Sequence, residues 1–246
     1  MDPNENPPDF HLPDVESKPG FVRRGFDSIA LQYDLLNDVM TMGLHRRWKR
    51  ETVRRLAIRP GMRILDLCAG TGDLAYRAAI RNGGQGLTAA LDFSWKMMSV
   101  GKSRNPNADS VVWIGGDAEN LPFLDASFDG AASGFGLRNV KSVETALREL
   151  HRILKPGALF VSLDTAGTEW PILAPFHQFH MKRIVPFLGE WFAHSRSMYS
   201  YLTASAEAFH PPQELQSLLD RCGFRDTGYA YRPRFLGGAA LVWGRR

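Results

Sequence analysis

Residues 64–73 carry the strongest chemical signal of the chain, and they read ILDLCAGTGD. An apolar run leads directly into a turn with glycines at 70 and 72, and Asp73 follows. A glycine at a strand-to-helix turn permits a close ligand approach that a Cβ would block, and the helix start offers free N–H groups. The pattern predicts that Gly70, Thr71 and Gly72 hold a cofactor, although glycines alone could also serve a tight structural turn.

The acids around this turn indicate the charge of the cofactor. A dinucleotide fingerprint would read G-x-G-x-x-G around a pyrophosphate, but Asp73 follows the second glycine and Ala75 stands where the third would fall. An acid there would repel phosphate. S-adenosylmethionine instead carries an ammonium and a sulfonium, which carboxylates such as Asp66 complement. The residues therefore favour S-adenosylmethionine over a dinucleotide.

Two further acids follow the next candidate strands. Asp92, with Phe93 beside it, lies about twenty residues beyond the glycine turn, where a carboxylate can accept hydrogen bonds from both ribose hydroxyls. Asp117 and Ala118 follow the third run, where a carboxylate and a backbone N–H can bind the adenine amino group and ring edge. Asp66 or Asp92 alone could be a capping or surface carboxylate. The recurrence of strand, turn and acid predicts one cofactor site.

The order of elements that must position these residues predicts an α/β, Rossmann-like methyltransferase fold. Short apolar runs alternate with helical patterns, as in parallel strands joined by crossover helices. The candidate strands are residues 63–68, 87–93, 111–115, 129–134 and 158–164, and the helices between them are 73–81, 94–104 and 142–154. Runs at 228–231 and 235–243 predict a closing hairpin. We expect a mostly parallel seven-stranded sheet with helices on both faces.

The remaining segments divide around this sheet. Residues 1–20 are rich in prolines and acids and predict a flexible leader. Residues 21–58 have apolar positions at spacings of three and four, which predicts an N-terminal helical cap. Residues 165–211 break the alternation and predict an inserted lid on the substrate side. We expect residues 21–246 to form a single methyltransferase domain.

The composition is that of a globular protein. The chain of 246 residues is 44% hydrophobic and 23% charged, which excludes disorder, collagen-like repeats and disulfide scaffolds. The net charge of +4 is spread through the sequence, so it argues only weakly for a membrane surface, and we expect no nucleic-acid partner. Cys68 and Cys222 are expected to be buried thiols. With no spanning run or signal pattern, we expect a cytoplasmic protein.

The sequence resembles the ubiquinone/menaquinone biosynthesis C-methyltransferase family, which belongs to the class I S-adenosylmethionine-dependent methyltransferases. The likeness covers roughly residues 21–244 and extends well beyond the glycine turn, which many methyltransferases share. The matching motifs are FDSIA at 26–30, YDLLND at 33–38, GLHRRWK at 43–49, GDAENLPF at 116–123, GFGLRNV at 134–140 and LKPG at 154–157.

The resemblance implies methyl transfer to a ring carbon of a prenylated quinol, of the demethylmenaquinol-to-menaquinol type, giving a menaquinone or ubiquinone precursor. The family's cofactor positions carry over to Thr71, Asp92, Asp117 and Ala118. Gly134 stands where some members have a serine. We include it in the cofactor site without assuming a side-chain contact.

Three residues are candidates for the chemical step. The ring carbon becomes nucleophilic once an adjacent hydroxyl is deprotonated, and it then attacks the sulfonium methyl in line. The resemblance places Arg138 and Asn139 beside that oxygen, where they could favour the phenolate and orient a water. Tyr33 is a further candidate. Arg138 could instead form a structural salt bridge, Asn139 could cap a helix, and Tyr33 could belong to the core. Residues 163–166, LDTA, depart from the family's usual Glu-Phe-Ser.

Residues 170–192 combine aromatics with cations and could receive the prenyl tail or dock peripherally at the inner face of a membrane. A core-facing amphipathic helix explains the same pattern. His177, His180 and His194 lack the carboxylates of a fixed ligand motif, so no metal is expected. Two alternative functions stay open: a methyltransferase for another small hydrophobic acceptor, and a catalytically silent binding protein of this fold. The quinone nucleus, the tail length and a possible homodimer are also left open.

Overall fold

The computed structural model describes residues 12–105, 108–166, 196–232 and 238–246. The helices in these residues are α1 (Lys18–Ile29), α2 (Tyr33–Thr41), α3 (Leu44–Arg55), α4 (Asp73–Asn82), α5 (Trp95–Arg104), α6 (Val143–Ile153), α7 (Arg196–Ala208) and α8 (Pro212–Arg221). The strands are β1 (Arg63–Leu67), β2 (Leu87–Asp92), β3 (Val112–Gly115), β4 (Phe128–Gly134), β5 (Leu154–Ala166), β6 (Arg225–Arg232) and β7 (Gly238–Arg245). A 3₁₀ turn, Leu137–Asn139, follows β4.

The described strands form a seven-stranded sheet in the order β3-β2-β1-β4-β5-β7-β6. The first five strands are parallel, and β7 is antiparallel to both of its neighbours, β5 and β6. This confirms the predicted fold. The strand order reverses at β1, which lies between β2 and β4. In open α/β sheets, ligands bind outside the carboxyl ends of the strands at such a switch point.

The boundaries that differ from the sequence prediction include the starts of β5 and α1. Strand β5 begins at Leu154, directly after α6, because Leu154 pairs with Phe128 of β4. The Lys-Pro-Gly residues 155–157 therefore lie inside the strand, where Gly157 takes a positive φ of 79°. Helix α1 begins at Lys18, inside the segment predicted as leader. Residues 170–192 and the three histidines at 177, 180 and 194 lie outside the described residues.

Each face of the sheet packs against its own layer of helices. Successive residues of a strand point to opposite faces. Leu65 and Leu67 of β1 therefore pack with α6 and α8, whereas Ile64 packs with α3 and α4. Helix α6 buries residues at the spacing of one helical face, namely Ala146, Leu147, Leu150 and Ile153. Each fully buried leucine or isoleucine contributes about 1.5–3 kcal/mol.

The N-terminal helices cover the carboxyl edge of the sheet. Val22, Phe26 and Ile29 of α1 pack with Met97 of α5 and Tyr201 of α7 in one buried cluster. The Lys18 ammonium donates a hydrogen bond to the Val140 carbonyl at 2.7 Å. Helix α1 is thereby held across the strand ends at which a ligand would bind. In the part of the chain that the structure describes, no helix has the length and apolarity to cross a membrane.

Candidate cofactor and acceptor site

A cavity of about 200 Å³ lies at the carboxyl ends of β1 to β4 and beneath the N-terminal helices. The sheet side of its wall consists of residues 68–71, 91–93, 116–119, 134–136 and 139–141. The other described residues of the lining come from the helices, and they are Pro19, Phe26, Tyr33, Lys49 and Met97. Four consecutive parallel strands thus bring their loop residues to one place, as the strand-turn-acid pattern predicts.

The glycine turn after β1 shapes one side of the cavity. Gly70 and Thr71 line the cavity, and Gly72 lies behind them as the N-cap residue of α4. Gly72 has a φ of 76°, and a Cβ there would lie 2.4 Å from Cη2 of Trp113. A side chain at position 72 would therefore clash and strain the backbone. The turn can keep this shape only with glycine at 72.

Asp92 joins the glycine turn to the end of β2. Its Oδ2 accepts a hydrogen bond from the Gly70 N–H at 2.8 Å, and its Oδ1 accepts one from the Ser94 N–H at 2.8 Å. The residue is 5% exposed, and burial raises the pKa of its carboxyl to about 6. A carboxylate has about four lone-pair sites, so both oxygens can still accept hydroxyl donors from the cavity. Asp92 is suited to bind a ribose diol.

The loop after β3 is held in a fixed shape by carboxylates. Asp117 Oδ1 accepts the Glu119 N–H at 2.9 Å. Glu119 Oε1 accepts the N–H groups of Lys141 at 2.7 Å and Ser142 at 2.9 Å, which ties this loop to the start of α6. Ala118 is buried between them and lines the cavity. Two loops that could enclose an adenine ring are therefore connected.

Asp66 lies beneath the glycine turn and does not line the cavity. It is 2% exposed, and its Oδ2 accepts the Ala75 N–H in the first turn of α4 at 2.8 Å. Burial raises the pKa of its carboxyl to about 8, so Asp66 is mostly neutral at pH 7. Its contact is with the helix start, which it supports from below.

Arg138 is buried and engaged in an ion pair. Its guanidinium Nη1 donates to Asp164 Oδ1 of β5, and both side chains are almost fully enclosed. Arg138 is 8% exposed and is not among the residues that line the cavity. The structural salt bridge considered above is therefore present, and it lies directly beside Asn139, which does line the cavity.

Asn139 and Tyr33 reach the cavity from different elements. The Asn139 amide donates from Nδ2 to the Phe135 carbonyl at 3.2 Å, and its Oδ1 accepts the Tyr201 hydroxyl at 3.1 Å. Tyr33 is half-buried at the start of α2, with its ring 5.7 Å from that of Phe26 in an edge-on contact. The amide of Asn139 is thus oriented by a residue of α7.

Lys49 is a cavity residue that sequence reasoning missed. It is 6% exposed, and its Nζ lies 3.1 Å from Oδ2 of Asp73. Burial lowers the pKa of Lys49, but the charge and hydrogen bond of Asp73, together with the nearby Tyr33 and Asp34, outweigh it and hold the pKa above the ordinary value. Lys49 ends the GLHRRWK motif, and that motif alone does not show that the side chain turns inward.

Of the predicted cofactor residues, the structure brings Gly70, Thr71, Asp92, Phe93, Asp117, Ala118 and Gly134 to the cavity wall. Asp66 and Gly72 support the wall from behind. Of the predicted catalytic residues, Asn139 and Tyr33 line the cavity and Arg138 adjoins it. Acids after β2 and β3, a glycine turn after β1 and this sheet order define a Rossmann-like S-adenosylmethionine-dependent methyltransferase.

Solved structures share this fold. An S-adenosylmethionine-dependent methyltransferase from Aquifex aeolicus aligns with a TM-score of 0.57 at 18% identity, covering 80% of this chain and 88% of that one. Phosphoethanolamine N-methyltransferase 2 of Haemonchus contortus, in complex with S-adenosylmethionine, aligns with a TM-score of 0.60 at 17% identity, over 81% of this chain and 52% of its own.

The chain belongs to the ubiE/COQ5 methyltransferase family, whose model matches residues 14–244. It is 37% identical over 235 residues to a demethylmenaquinone methyltransferase of Desulfitobacterium hafniense, covering 94% of this chain and 92% of that one. It is 40% identical over 221 residues to the ubiquinone/menaquinone biosynthesis C-methyltransferase UbiE of Stenotrophomonas maltophilia, covering 87% and 86%. The protein is a methyltransferase enzyme, and its cofactor is S-adenosylmethionine.

Proposed function

We propose that this enzyme methylates a ring carbon of a prenylated quinol, of the demethylmenaquinol-to-menaquinol type. The proposal is carried by one observation. Acid-bearing loops suited to a nucleoside and the polar side chains of Asn139 and Tyr33 line the same cavity. The names of the relatives support the acceptor, since they include demethylmenaquinone methyltransferases and UbiE enzymes.

The cofactor residues have separate tasks in this proposal. Asp92 accepts both ribose hydroxyls, and Asp117 with the Ala118 N–H binds the adenine edge. Gly70 and Thr71 contact the methionyl half through the backbone of the glycine turn, and Gly134 with Phe93 completes the wall. When bound, S-adenosylmethionine supplies a methyl group on a positively charged sulfur. The chain's own contribution is to hold that sulfur and the acceptor ring in line.

The acceptor must lose a ring-hydroxyl proton before its carbon can attack, and once the methyl group has passed from sulfur to that carbon, the carbon must lose its own proton to water to restore the aromatic ring. We assign Asn139 to orient the water or hydroxyl that carries this proton, because its amide is held by Phe135 and Tyr201. The buried guanidinium of Arg138 stabilises the developing phenolate through its charge. Tyr33 faces the ring from α2. In this proposal residues 21–246 act as a single domain in which the insertion at 165–211 covers the acceptor side.

A panel assay tests the acceptor. Purified enzyme is given S-adenosylmethionine with an isotopic methyl label and either a demethylated naphthoquinol or a benzoquinol, each with and without a prenyl tail. The expected result is label on a ring carbon of a prenylated quinol, and a deletion strain should accumulate the quinone that lacks one ring methyl. Label on another hydrophobic acceptor alone would favour the first alternative. No binding of S-adenosylmethionine in calorimetry would favour a silent member of the fold.

We also propose that the enzyme contacts a membrane surface peripherally, since a prenylated quinol resides in the bilayer. The spread positive charge of +4 fits an anionic surface. Flotation with anionic liposomes tests this. Enzyme that stays at the bottom of the gradient at low salt would oppose the proposal, and flotation that disappears at high salt would support an electrostatic contact.

A further inference from the structure

Helix α3 carries a buried cation to the wall of the cavity. Lys49 is 6% exposed and lines the cavity with Tyr33 and Thr71. Among the residues that the structure describes, the basic residues of the cavity wall are Lys49 and Lys141. Lys141 is exposed and pairs with Glu16 at 2.7 Å, beside the Glu119 loop after β3. Lys49 is therefore the cation at the glycine-turn end.

The ion pairs around Lys49 leave a positive charge in excess. Its partner Asp73 also accepts a hydrogen bond from Arg77 Nε at 2.7 Å, so one carboxylate faces two cations. The nearby carboxyl of Asp66 is mostly neutral at pH 7, because burial raises its pKa to about 8. Asp34, also close to Lys49, has Arg104 as its own partner. Burying an ammonium costs several kcal/mol unless its charge is compensated. The surplus is suited to an anionic ligand group.

We infer that Lys49 binds the α-carboxylate of the methionyl half of the cofactor. S-adenosylmethionine and its product, S-adenosylhomocysteine, both carry this group, and the acids of the other loops cannot receive it. Thr71, whose hydroxyl donates to Asp34 at 2.9 Å, lies on the same wall. The surplus cation, the glycine turn and the N-terminus of α4 together form a positively polarised end for a carboxylate. The inference depends on the cofactor and not on the identity of the acceptor.

Ligand truncation tests this assignment directly. S-adenosylhomocysteine carries the amino-acid half, whereas 5′-methylthioadenosine has the same nucleoside and sulfur without it. Calorimetry is performed with the wild type and with Lys49→Met and Lys49→Gln variants. We expect the affinity for S-adenosylhomocysteine to fall by about 10- to 100-fold, as for a lost hydrogen bond to a charged group. Affinity for 5′-methylthioadenosine should stay unchanged, which also shows that the pocket is folded.

Lys155→Met is the matched control, because Lys155 pairs with Asp129 and lies outside the cavity wall. It should bind both ligands as the wild type does. A double variant, Lys49→Gln with Asp73→Asn, removes the local carboxylate as well. If the weaker binding of S-adenosylhomocysteine is caused by the lost attraction of Lys49, this double variant should still bind the ligand weakly.

Three results would overturn the inference. Unchanged binding of S-adenosylhomocysteine by Lys49→Gln would show that the ammonium does not contact the carboxylate. An equal loss of affinity for both ligands would show that Lys49 maintains the general shape of the pocket. If Lys49→Met fails to fold, the Lys49→Gln variant decides, because glutamine can still donate to Asp73 and preserve the helix contact. A fall in turnover with unchanged ligand affinities would place Lys49 at the acceptor instead, and so would also reject the inference.

Discussion

The guanidinium of Arg138 donates to the carboxylate of Asp164 in the protein interior, where the two residues are 8% and 4% exposed. Burial lowers the pKa of Arg138, but the charge and hydrogen bond of Asp164, together with the nearby Tyr33 and Tyr201, outweigh it and raise that pKa. Arg138 Nε and Asp164 Oδ2 have no hydrogen-bond partner among the described residues. The pair joins the 3₁₀ turn that carries Asn139 to strand β5, which lies between β4 and β7 in the sheet.

Removing one partner of this pair should be costly. In Asp164→Ala, Arg138 becomes a buried cation without compensation, so we expect the free energy of unfolding to fall by about 3–5 kcal/mol. Urea unfolding measures this loss. Glu144→Ala breaks the exposed pair with Arg148 and is the control, with an expected loss of at most about 1 kcal/mol. Similar losses in the two variants would mean that water reaches the Arg138–Asp164 pair.

Arg138→Ala should reduce quinol methylation by about 100-fold or more, because the charge proposed to favour the phenolate is lost. Affinity for S-adenosylhomocysteine should stay near that of the wild type, since Arg138 does not line the cavity. The double variant Arg138→Ala with Asp164→Ala removes both charges. It should be more stable than either single variant and remain inactive. Recovery of turnover in the double variant would show that Arg138 acts only by neutralising Asp164.

Tyr201→Phe removes the hydroxyl that donates to Asn139 Oδ1 at 3.1 Å. One hydrogen bond of this kind is worth about 1 kcal/mol, so we expect kcat to fall by about fivefold to tenfold through looser orientation of the amide. Tyr201 is a positioning residue in this prediction. KM for S-adenosylmethionine should change little, and the thermal unfolding midpoint should fall by no more than about 2–4 °C. A shift in the midpoint with kcat unchanged would assign the hydroxyl to stability alone.

Binding of the cofactor should weaken in acid because of Asp92. Its carboxyl has a pKa of about 6, raised by burial, and only the ionised form offers both oxygens fully to ribose hydroxyls. The dissociation constant of S-adenosylhomocysteine should therefore rise as the pH falls through about 6. In Asp92→Asn, we expect at least about tenfold weaker binding at pH 7 and a smaller rise of the dissociation constant as the pH falls. The same rise in Asp92→Asn as in the wild type would show that another group titrates.

Asp66 should make the protein less stable as the pH rises. The pKa of its carboxyl is about 8 in the folded chain, against an ordinary value of 3.8, so the folded state binds this proton more tightly. The stabilisation is complete below about pH 4 and is lost progressively up to about pH 8. Asp66→Asn keeps an oxygen for the Ala75 N–H but does not titrate. As the pH rises through this window, the unfolding free energy of Asp66→Asn should therefore increase relative to that of the wild type. Parallel curves of unfolding free energy against pH would contradict the prediction.

Local patterns were sufficient to predict the sheet and the edge of the sheet at which the cavity lies. The alternation after Pro60 indicated parallel strands, and the structure has them with β1 at the switch point. The acids at 92 and 117 could be placed because a residue that ends a parallel strand lies at the same edge as the others. The start of β5 at Leu154 was missed, since its pairing with Phe128 depends on a partner strand.

The sequence by itself determined the family, the fold class and the loops that line the cavity, because short contiguous motifs carry those features. Only the tertiary structure decided which charged and polar side chains contact each other. Lys49 pairs with Asp73 because α3 packs on α4, and Asn139 is oriented by Tyr201, a residue 62 positions later in the chain. Spacing in sequence encodes the periodicity of one element, whereas contacts between elements depend on how their buried faces pack.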